Sequence, residues 1–346
     1  MRVLMTGHNG YLGSVMAPEL RSAGHEVTGL DSFFFEGCTL GDDQDDQGAI
    51  RVIRKDVRDI QAADLQGFDA VVHLAALCND PLGDLHTGWT YEINHHASVE
   101  LGRLARDAGV ARFLFASSCS MYGAAWNEAA LTEEAPLKPL TAYAISKVRA
   151  EEALSQLADR SFSPVFMRNA TAYGLAPRLR ADVVLNNLVC WAHTTGRIRI
   201  MSDGTPWRPL VHVQDIARAF AVALVAPREA IHNQAFNVGA NGENYQVREL
   251  AELVRAIVPG CTVEYAADAG PDPRSYRVDF SKLTRTFPDL RLQWNAAFGA
   301  KDLYAALQEA QVTLADFQGR KYIRLAQIKH LLDLGQLDNT LRWTRS

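Results

Sequence analysis

Tyr143 and Lys147 lie four residues apart in the run Tyr143-Ala-Ile-Ser-Lys147, a spacing suited to proton transfer. In a helix, side chains at positions i and i+4 share one face, so the phenol and the ammonium group would lie side by side. A nearby cation favours the phenolate and lowers the pKa of the tyrosine toward the range in which it can act as acid and base. The pair therefore predicts an acid–base site.

Three glycines occupy the junction between a short apolar strand and an amphipathic helix: Gly7, Gly10 and Gly13. This spacing lets a pyrophosphate touch backbone N–H groups at the positive end of the helix. The next strand ends in Asp31, about 20 residues beyond the turn, where an acid accepts hydrogen bonds from an adenosine ribose. The pattern predicts a dinucleotide site, and Lys147 could hold further ribose hydroxyls of the same ligand.

The elements that position these residues alternate in type through the first half of the chain. Five short segments rich in β-branched or aromatic residues predict strands at 3–5, 27–30, 51–53, 70–74 and 112–116. Helical patterns lie between several of them, at 14–23 and 90–108, and a further one follows at 144–158. This alternation predicts an α/β fold, a doubly wound Rossmann-type parallel sheet. The serine cluster 117–120 then lies at the carboxyl edge of the sheet, where such folds bind ligands.

The composition becomes less regular after Tyr173-Gly174, where prolines are more frequent. We expect a dinucleotide-binding domain over residues 1–173 and a smaller C-terminal α/β substrate domain over 174–346. An apolar helical stretch followed by a strand pattern indicates that residues 211–240 return to the first domain. A helical period beyond about residue 316 predicts a helical tail, which we place as a cap on the substrate domain.

Composition and charge restrict the possible partners. The 346 residues carry a net charge of -5 with a sequence pI near 6.1, so we expect no binding to nucleic acid or acidic lipid. No run approaches the ~18 uninterrupted apolar residues that span a bilayer, so no membrane segment is expected. The chain opens directly on its first strand and its five cysteines are scattered, which favours a cytoplasmic, reduced protein.

Two clusters resemble metal sites without matching one. The acidic run 41–48 lacks the ligand order of a calcium loop and is better interpreted as a solvated loop. His95, His96 and Glu100 lie on a helix that we expect to pack at a dimer interface, so no metal is predicted there. The chain also has no Gly-x-Ser-x-Gly elbow and no Walker A loop, so hydrolase and phosphotransfer functions find no support.

Several motifs occur together in one order: the glycine turn, Asp31, Asp56-Val57, His73-Leu-Ala-Ala76, Asn94, Ser117-Ser-Cys-Ser-Met-Tyr-Gly123 and Tyr143-x-x-x-Lys147. With this set the chain resembles the extended short-chain dehydrogenase/reductase family over roughly residues 1–300. Within that family it is similar to the NAD-dependent nucleotide-sugar epimerases and dehydratases. The motifs are specific in combination, although each one alone is common.

The resemblance implies that Ser118 hydrogen-bonds the reacting sugar oxygen, Tyr143 accepts and donates the proton, and Lys147 is its electrostatic partner. It also implies NAD as the cofactor, with Asp31 selecting NAD over NADP because a 2′-phosphate would meet a carboxylate. The residues implied to contact NAD are Gly7, Gly10, Tyr11, Leu12, Gly13, Asp31, Asp56, Val57, Leu74, Ala75, Ala76, Asn94, Ser117, Tyr143 and Lys147.

On the substrate side, the resemblance implies that Arg208 clamps a phosphate of a nucleoside-diphosphate sugar. A guanidinium offers several donors in a fixed fork, which suits a diphosphate. A second phosphate arginine is expected at either Arg274 or Arg277, beside Tyr276 near the sugar ring. The implied substrate contacts are Ser118, Cys119, Ser120, Asn169, Thr171, Asn187, Leu188, Arg208, Arg274 and Tyr276.

The chain departs from the family pattern at three points. Dehydratases carry an acid directly after the catalytic Ser/Thr, and decarboxylating members carry a glutamate there, whereas this chain has Cys119 and Ser120. Thr171 replaces a usual asparagine, and Pro209 replaces an acidic residue after the phosphate arginine. The first departure removes the usual proton source for expelling water, which disfavours a dehydratase unless Cys119 serves as the acid.

We therefore expect a homodimeric, NAD-dependent epimerase of a nucleoside-diphosphate sugar, acting through transient C4 oxidation and hydride return. Two alternatives use the same site: an NAD(P)H-dependent 4-ketoreductase of a nucleotide keto-sugar, and a nucleotide-sugar dehydratase. A non-catalytic NAD-binding regulator is a further alternative, disfavoured because Ser118, Tyr143 and Lys147 are all present.

Overall fold

The computed structural model describes residues 1–41, 50–78, 80–125, 129–270, 272 and 274–344. Most of the acidic run 41–48 lies outside these residues. The strands are β1 Arg2–Thr6, β2 Glu26–Asp31, β3 Arg51–Arg54, β4 Ala70–His73, β5 Arg112–Ser118, β6 Ser163–Asn169, β7 Thr171–Tyr173, β8 Arg197–Ser202, β9 Trp207–His212, β10 Gln234–Val238, β11 Asn244–Gln246 and β12 Thr262–Gly270.

The helices alternate with these strands. They are α1 Gly13–Ser22, α2 Asp80–Gly83, α3 Thr87–Tyr91, α4 Ala97–Asp107, α5 Ala142–Ser155, α6 Val184–Thr195, α7 Val213–Val225, α8 Arg228–Ile231, α9 Val247–Ile257, α10 Ser281–Thr286, α11 Ala296–Glu309, α12 Leu314–Gln318 and α13 Arg324–Asp333.

Seven strands form one sheet in the order β10-β6-β5-β4-β1-β2-β3, and every pair in it is parallel. The inner strands β4 and β6 are buried along their whole length, since helices cover both faces of the sheet. Parallel strands need crossover connections, and most of the helices in the first half provide them. The predicted doubly wound Rossmann-type sheet is confirmed.

The helix predicted over 90–108 is divided by a π-helical turn at Glu92–His96, between α3 and α4. A π-turn closes its hydrogen bonds one residue later than an α-helix, so it changes which side chains face the core. Asn94, within this turn, is fully buried. The periodicity of the sequence alone does not show this shift because the apolar spacing stays compatible with a regular helix.

A smaller unit follows β6 and carries a three-stranded sheet, β11-β9-β7, and a two-stranded sheet, β12-β8. Helices α6, α9 and α11 pack together there around a separate apolar cluster that includes Leu185, Leu250 and Leu303. Strand β10 lies beside β6 in the large sheet, and α7, which precedes it, packs against α1. The chain therefore crosses between the two units more than once.

The C-terminal tail packs on the large sheet. Ile328, Leu331 and Leu341 are buried in the same apolar cluster as Leu30 and Val57. Our placement of the tail as a cap on the substrate domain is therefore wrong for the part beyond residue 323. Its apolar period is correctly helical, but periodicity does not specify which surface a helix covers.

Candidate active site

A cavity of about 1280 Å³ opens at the carboxyl edge of the large sheet and extends toward the smaller unit. Its size exceeds that of an ordinary small-molecule pocket, which suits a dinucleotide together with a second nucleotide. It is lined by Gly7, Gly10, Tyr11, Leu12, Gly13, Asp31, Asp56, Val57, Leu74, Ala75, Ala76, Ser117, Ser118, Ser120, Tyr143, Lys147, Asn169, Thr171, Asn187, Leu188, Arg208, Arg274 and Tyr276. Of the predicted site residues, Asn94 and Cys119 do not line it.

The glycine turn is packed too closely for side chains. A Cβ on Gly7, which has φ +74°, would lie 2.7 Å from the amide nitrogen of Ala75. A Cβ on Gly13 would lie 2.4 Å from the carbonyl oxygen of Gly7. Helix α1 begins at Gly13, so the positive end of its dipole lies at the cavity wall. This cradle fits a pyrophosphate.

The floor beneath the turn is held by a neutral histidine. The Nδ1 and Nε2 atoms of His73 lie 2.6 Å and 2.8 Å from the hydroxyls of Thr6 and Ser98. Burial, with a smaller effect of the Lys147 charge, lowers the pKa of His73 to about 3. The ring is therefore uncharged at neutral pH and braces β1 against α4.

Asp31 ends β2 at the cavity wall. Its Oδ2 accepts a hydrogen bond from the Asn9 amide at 3.0 Å, and its Oδ1 accepts one from the Phe33 amide at 2.8 Å. Burial raises the pKa of Asp31, while these amide donors and the His8 ring act in the opposite direction. Each carboxylate oxygen can accept more than one hydrogen bond, so the group can also receive ribose hydroxyls.

Tyr143 and Lys147 lie on α5, whose N-terminus is capped by the Thr141 hydroxyl, an acceptor for the Ala144 amide at 3.2 Å. The Lys147 ammonium donates to the Ala116 carbonyl at 2.7 Å and lies 5.9 Å from the centroid of the Tyr143 ring. The two groups thus share one face of the helix beside the cavity. The bond to β5 fixes the ammonium because it cannot move without losing that carbonyl.

The expected lowering of the Tyr143 pKa is not found in the protein alone. Burial raises the pKa of Tyr143, the Cys78 thiol adds to this effect, and a hydrogen bond with Ser118 opposes it. The Lys147 ammonium is itself desolvated, which lowers its pKa to about 8. The sequence argument considered the cation but not the burial, and burial is the larger effect here.

Replacing Lys147 by methionine should change how the stability of the NAD-free protein depends on pH. The unfolded chain holds the lysine proton up to its ordinary pKa of 10.5, whereas the folded protein releases it near 8. The stability of the wild type should therefore rise relative to Lys147→Met between these pH values, by up to about 3 kcal/mol. Urea unfolding from pH 7 to pH 10.5 measures this, with the exposed Lys301→Met as control. A pH-independent difference would contradict the burial of a charged lysine.

Ser118 ends β5 and projects into the cavity. Its hydroxyl donates to the Ser120 hydroxyl at 2.9 Å and accepts from the Ser120 amide at 3.2 Å. Cys119, between them, points the other way: it is fully buried and its thiol donates to the Arg168 carbonyl at 3.1 Å. Burial raises the pKa of this thiol. The structure therefore contradicts the expectation that Cys119 contacts substrate or supplies a proton.

Asn94 also faces away from the cavity. Its side-chain oxygen accepts from the Leu77 amide at 2.8 Å, and its NH2 group donates to the Leu77 carbonyl and to the Ser146 hydroxyl. With these contacts it has no free donor to offer a cofactor. Asn94 instead fixes the segment 74–77 that lines the cavity, so the prediction of a direct NAD contact is corrected to a positioning role.

Tyr11 and Asn187 reach the cavity with their polar ends already engaged. The Tyr11 hydroxyl donates to the Gly174 carbonyl at 2.7 Å and accepts from the side-chain NH2 group of Asn186 at 3.0 Å. The side-chain NH2 group of Asn187 donates to the Ala181 carbonyl at 2.9 Å. The two Tyr11 bonds tie the glycine turn to the smaller unit, which closes one wall of the cavity.

Two of the predicted phosphate arginines face the cavity at its far end. Arg208 and Arg274 both bind Asp272, each through a nitrogen 2.7 Å from Oδ2, and Arg274 also pairs with Asp80. Arg277 does not line the cavity and lies 5.2 Å above the Trp207 ring. The geometry therefore favours Arg274 over Arg277 at the position left open by the sequence.

Several lining residues were missed by the sequence analysis, including Cys78, Asp80, Arg180, Asp182 and Arg324. Arg180 donates to Asp182 at 2.8 Å and to the Cys78 carbonyl at 3.2 Å. Arg180 comes soon after Tyr173-Gly174, where the predicted substrate domain begins, so its position in the sequence could have marked it as a site residue. Arg324 carried no local signal, because only the packing of the tail brings it to the cavity.

The comparisons with known proteins agree with this geometry. A sequence model of the NAD dependent epimerase/dehydratase family matches residues 3–239. The chain belongs to this family. NAD is accordingly its cofactor, and the glycine cradle and Asp31 are the parts of the cavity that suit it.

Relatives within the epimerase/dehydratase family catalyse different reactions. The UDP-glucose 4-epimerase of Corynebacterium glutamicum is 30% identical over 274 residues, covering 74% of this chain and 80% of that protein. The structure of MoeE5 in complex with UDP-glucuronic acid and NAD is 25% identical with a TM-score of 0.77, covering 90% and 100%. The dTDP-glucose 4,6-dehydratase DesIV of Streptomyces venezuelae, with NAD and TYD bound, is 25% identical with a TM-score of 0.76, covering 89% and 97%.

The described residues contain no helix long and apolar enough to cross a bilayer. In the same residues, no group of three or more His, Cys, Asp or Glu side chains is arranged to hold a metal ion. All five cysteines are free thiols.

Proposed function

We propose that this protein is an NAD-dependent epimerase that inverts C4 of a nucleoside-diphosphate sugar. The observation that carries the proposal is the convergence of Ser118, Tyr143 and Lys147 on the cavity that holds the glycine cradle. NAD supplies reversible hydride exchange with the sugar carbon when it is bound. The relatives include a UDP-glucose 4-epimerase that is 30% identical to this chain, which supports a nucleotide sugar as the substrate class.

The residues divide the proton chemistry among themselves. The Tyr143 phenolate takes the proton of the C4 hydroxyl as that carbon is oxidised, and the resulting Tyr143 hydroxyl returns the proton when the carbon is reduced on the other face. The fixed Lys147 ammonium stabilises the phenolate form during this transfer. The Ser118 hydroxyl, already linked to Tyr143 and Ser120, orients the sugar oxygen.

The positions after Ser118 argue against the dehydratase alternative. Elimination of water needs a proton donor beside the leaving hydroxyl. Cys119 is fully buried with its thiol bonded to the Arg168 carbonyl, and Ser120 is a hydroxyl engaged with Ser118. The ketoreductase alternative uses the same residues as the epimerase, but its substrate is a nucleotide keto-sugar and its reduced cofactor is consumed and must exchange in each cycle.

The test is proton NMR of the purified protein in D2O with UDP-, dTDP-, GDP- and CDP-sugars and no added reductant. A new C4 epimer that retains protium at C4 is the expected result, because the hydride returns internally. Water loss with deuterium in the product would replace the proposal by a dehydratase. If no sugar reacts, but a 4-keto sugar is consumed once NADH or NADPH is added, the epimerase proposal would be replaced by the ketoreductase alternative.

Replacing Arg208 by lysine should raise KM for the nucleotide sugar about 10- to 100-fold with the bound NAD retained. A lysine keeps the charge but loses the fork that holds two phosphate oxygens at once. Steady-state kinetics with the substrate identified by NMR provide the measurement. Arg277→Lys, which stacks on Trp207 outside the cavity, is the matched control. Equal effects in both variants would remove Arg208 from the phosphate site.

We also propose that the protein is a homodimer formed through the surface of α4 and α5. Beside this surface, in the π-turn before α4, the His95 and His96 rings lie 4.6 Å apart between centroids at an interplanar angle of 40°, and the Arg149 guanidinium of α5 lies 4.9 Å from the centroid of the Tyr91 ring. Light scattering should give twice the chain mass of 38.2 kDa. A monomer at micromolar concentration would reject the proposal.

A further inference from the structure

Arg324, the first residue of α13, lines the cavity although it comes from the C-terminal tail. Its side chain is only 3% exposed, and its guanidinium lies 4.4 Å from the centroid of the Phe35 ring. Nη2 donates to the Arg178 carbonyl at 2.7 Å, whereas Nη1 is buried with no hydrogen-bond partner among the described residues. A buried donor left unpaired costs about 1–3 kcal/mol, so this site suits an acceptor that the chain does not provide.

The surroundings of Arg324 select an anion. Arg178 and Arg180 lie close enough to act electrostatically on it, and Asp182 is the one carboxylate among the charged groups that act on it most strongly. Burial, reinforced by the Arg180 charge, lowers the pKa of Arg324 to about 10, so the group is still a cation at neutral pH. Among the described residues, Arg324 therefore shares its corner of the cavity with two further guanidinium groups and one carboxylate, surroundings that suit a phosphate group.

This corner adjoins the glycine turn and lies apart from the predicted substrate arginines. The Arg178 side chain donates to the side-chain oxygen of Asn9 at 2.8 Å, within the turn itself. The charge of Arg324 also acts on Tyr11, the next lining residue of the turn after Gly10. Arg208, by contrast, is bound to Asp272 at the far end. The anion at this corner is therefore expected to belong to the dinucleotide rather than to the sugar nucleotide.

The tail beyond Arg324 binds two segments that adjoin Asp31 and Asp56, both implied to contact NAD. Because Asp31 is placed to bind the adenosine ribose, we call them the adenosine-binding segments. One segment directly follows Asp31, and the other begins at Asp56. The bonds run from Gln327 to the Phe34 carbonyl (3.0 Å), from Trp343 to the Ser32 carbonyl (2.6 Å), and from Arg58 to the carbonyls of Thr340 (2.6 Å) and Leu341 (2.8 Å). Buried Ile328 and Leu331 anchor the tail, each contributing about 1.5–3 kcal/mol of apolar burial.

We propose that the C-terminal tail is a clasp for the cofactor, in which Arg324 binds the pyrophosphate of NAD and residues 324–344 hold the adenosine-binding segments together. The clasp keeps NAD bound through many turnovers, because release requires the tail to detach from the sheet. This inference rests on NAD as the cofactor. It is independent of which sugar reaction occurs, since its measurements need no sugar substrate.

The first test measures the affinity of full-length Arg324→Gln for NAD and for fragments of NAD. The protein is first stripped of its cofactor, and each ligand is then titrated into it by calorimetry. We expect affinity for NAD and ADP-ribose to fall at least 10-fold, while affinity for adenosine stays within 2-fold of the wild type. Arg324→Lys should recover part of the loss because it restores the charge. Arg285→Gln is the matched control, since Arg285 is exposed on α10 and does not line the cavity.

The second test measures NAD dissociation by loss of bound cofactor after rapid dilution. Trp343→Ala, which removes the bond to Ser32, should release NAD at least 10-fold faster than Arg285→Gln. Unchanged NAD affinity in folded Arg324→Gln would overturn the pyrophosphate contact. Equal weakening of adenosine and ADP-ribose would overturn it too, because Arg324 would then act only through the structure. Unchanged dissociation in Trp343→Ala would overturn the clasp.

Discussion

Phenylalanine at position 143 should reduce kcat about 10³-fold while the protein still purifies with NAD bound. The substitution keeps the ring at the start of α5 and removes only the hydroxyl that transfers the proton, and general acid–base groups commonly contribute effects of this size. Among the described residues, Ser118 is the one side chain that hydrogen-bonds this hydroxyl, so folding should be retained. Turnover is followed by NMR, and bound NAD by its absorbance after denaturation.

Tyr304→Phe provides the control for the loss of a tyrosine hydroxyl. Tyr304 lies on α11, away from the cavity lining, and its hydroxyl accepts a bond from Gln308 at 3.2 Å. Its kcat should match that of the wild type. A Tyr143→Phe enzyme that keeps more than a tenth of wild-type kcat would show that another group transfers the proton, and the proposed mechanism would then fail.

Alanine at position 7 should abolish stable NAD binding, with affinity lowered at least 100-fold, or about 3 kcal/mol. Two effects act together. The residue has φ +74°, a conformation that costs side-chain-bearing residues about 1–2 kcal/mol. Its Cβ would also lie 2.7 Å from Ala75 N and 2.9 Å from Leu74 C, which are backbone atoms and cannot rotate away. Both the cradle and the neighbouring cavity wall must therefore shift.

Calorimetric titration with NAD and a thermal melt of the stripped protein measure this effect. Gly242→Ala is the matched control, because a Cβ there meets no atom within 4 Å and the backbone has no positive φ. It should bind NAD as the wild type does. A Gly7→Ala protein that is folded and binds NAD with wild-type affinity would show that the turn does not form the pyrophosphate site.

Patterns that depend on neighbouring residues were predictable from the sequence. Strands and helices each have their own spacing of apolar residues along the chain. The alternation of the two element types, and with it the doubly wound sheet, could therefore be predicted before any packing was known. The glycine turn belongs to the same class, because a strand, a turn and a helix in sequence must place Gly7 and Gly13 at the sheet edge. The spacing of Tyr143 and Lys147 likewise determines that they share a helix face.

Burial and side-chain direction were not predictable in this way. Cys119 lies between two serines that face the cavity, yet it points into the core because a short turn after β5 rotates it there. The π-turn at Glu92–His96 likewise directs the Asn94 side chain into the core. Tyr143 shows the energetic consequence, because the sequence argument considered the neighbouring Lys147 cation but not the burial that raises the pKa of the phenol.

The sequence by itself thus determined the fold class, the dinucleotide turn and the order of the acid–base residues along the chain, since each follows from local spacing. Only the tertiary structure decided which of those side chains face the cavity and which distant residues join them. Arg324 meets the carbonyl of Arg178 across 146 residues, and Arg274 meets Asp80 across 194. The physical reason is that such contacts depend on how buried surfaces of separate elements pack, and no periodicity within one element encodes its partner.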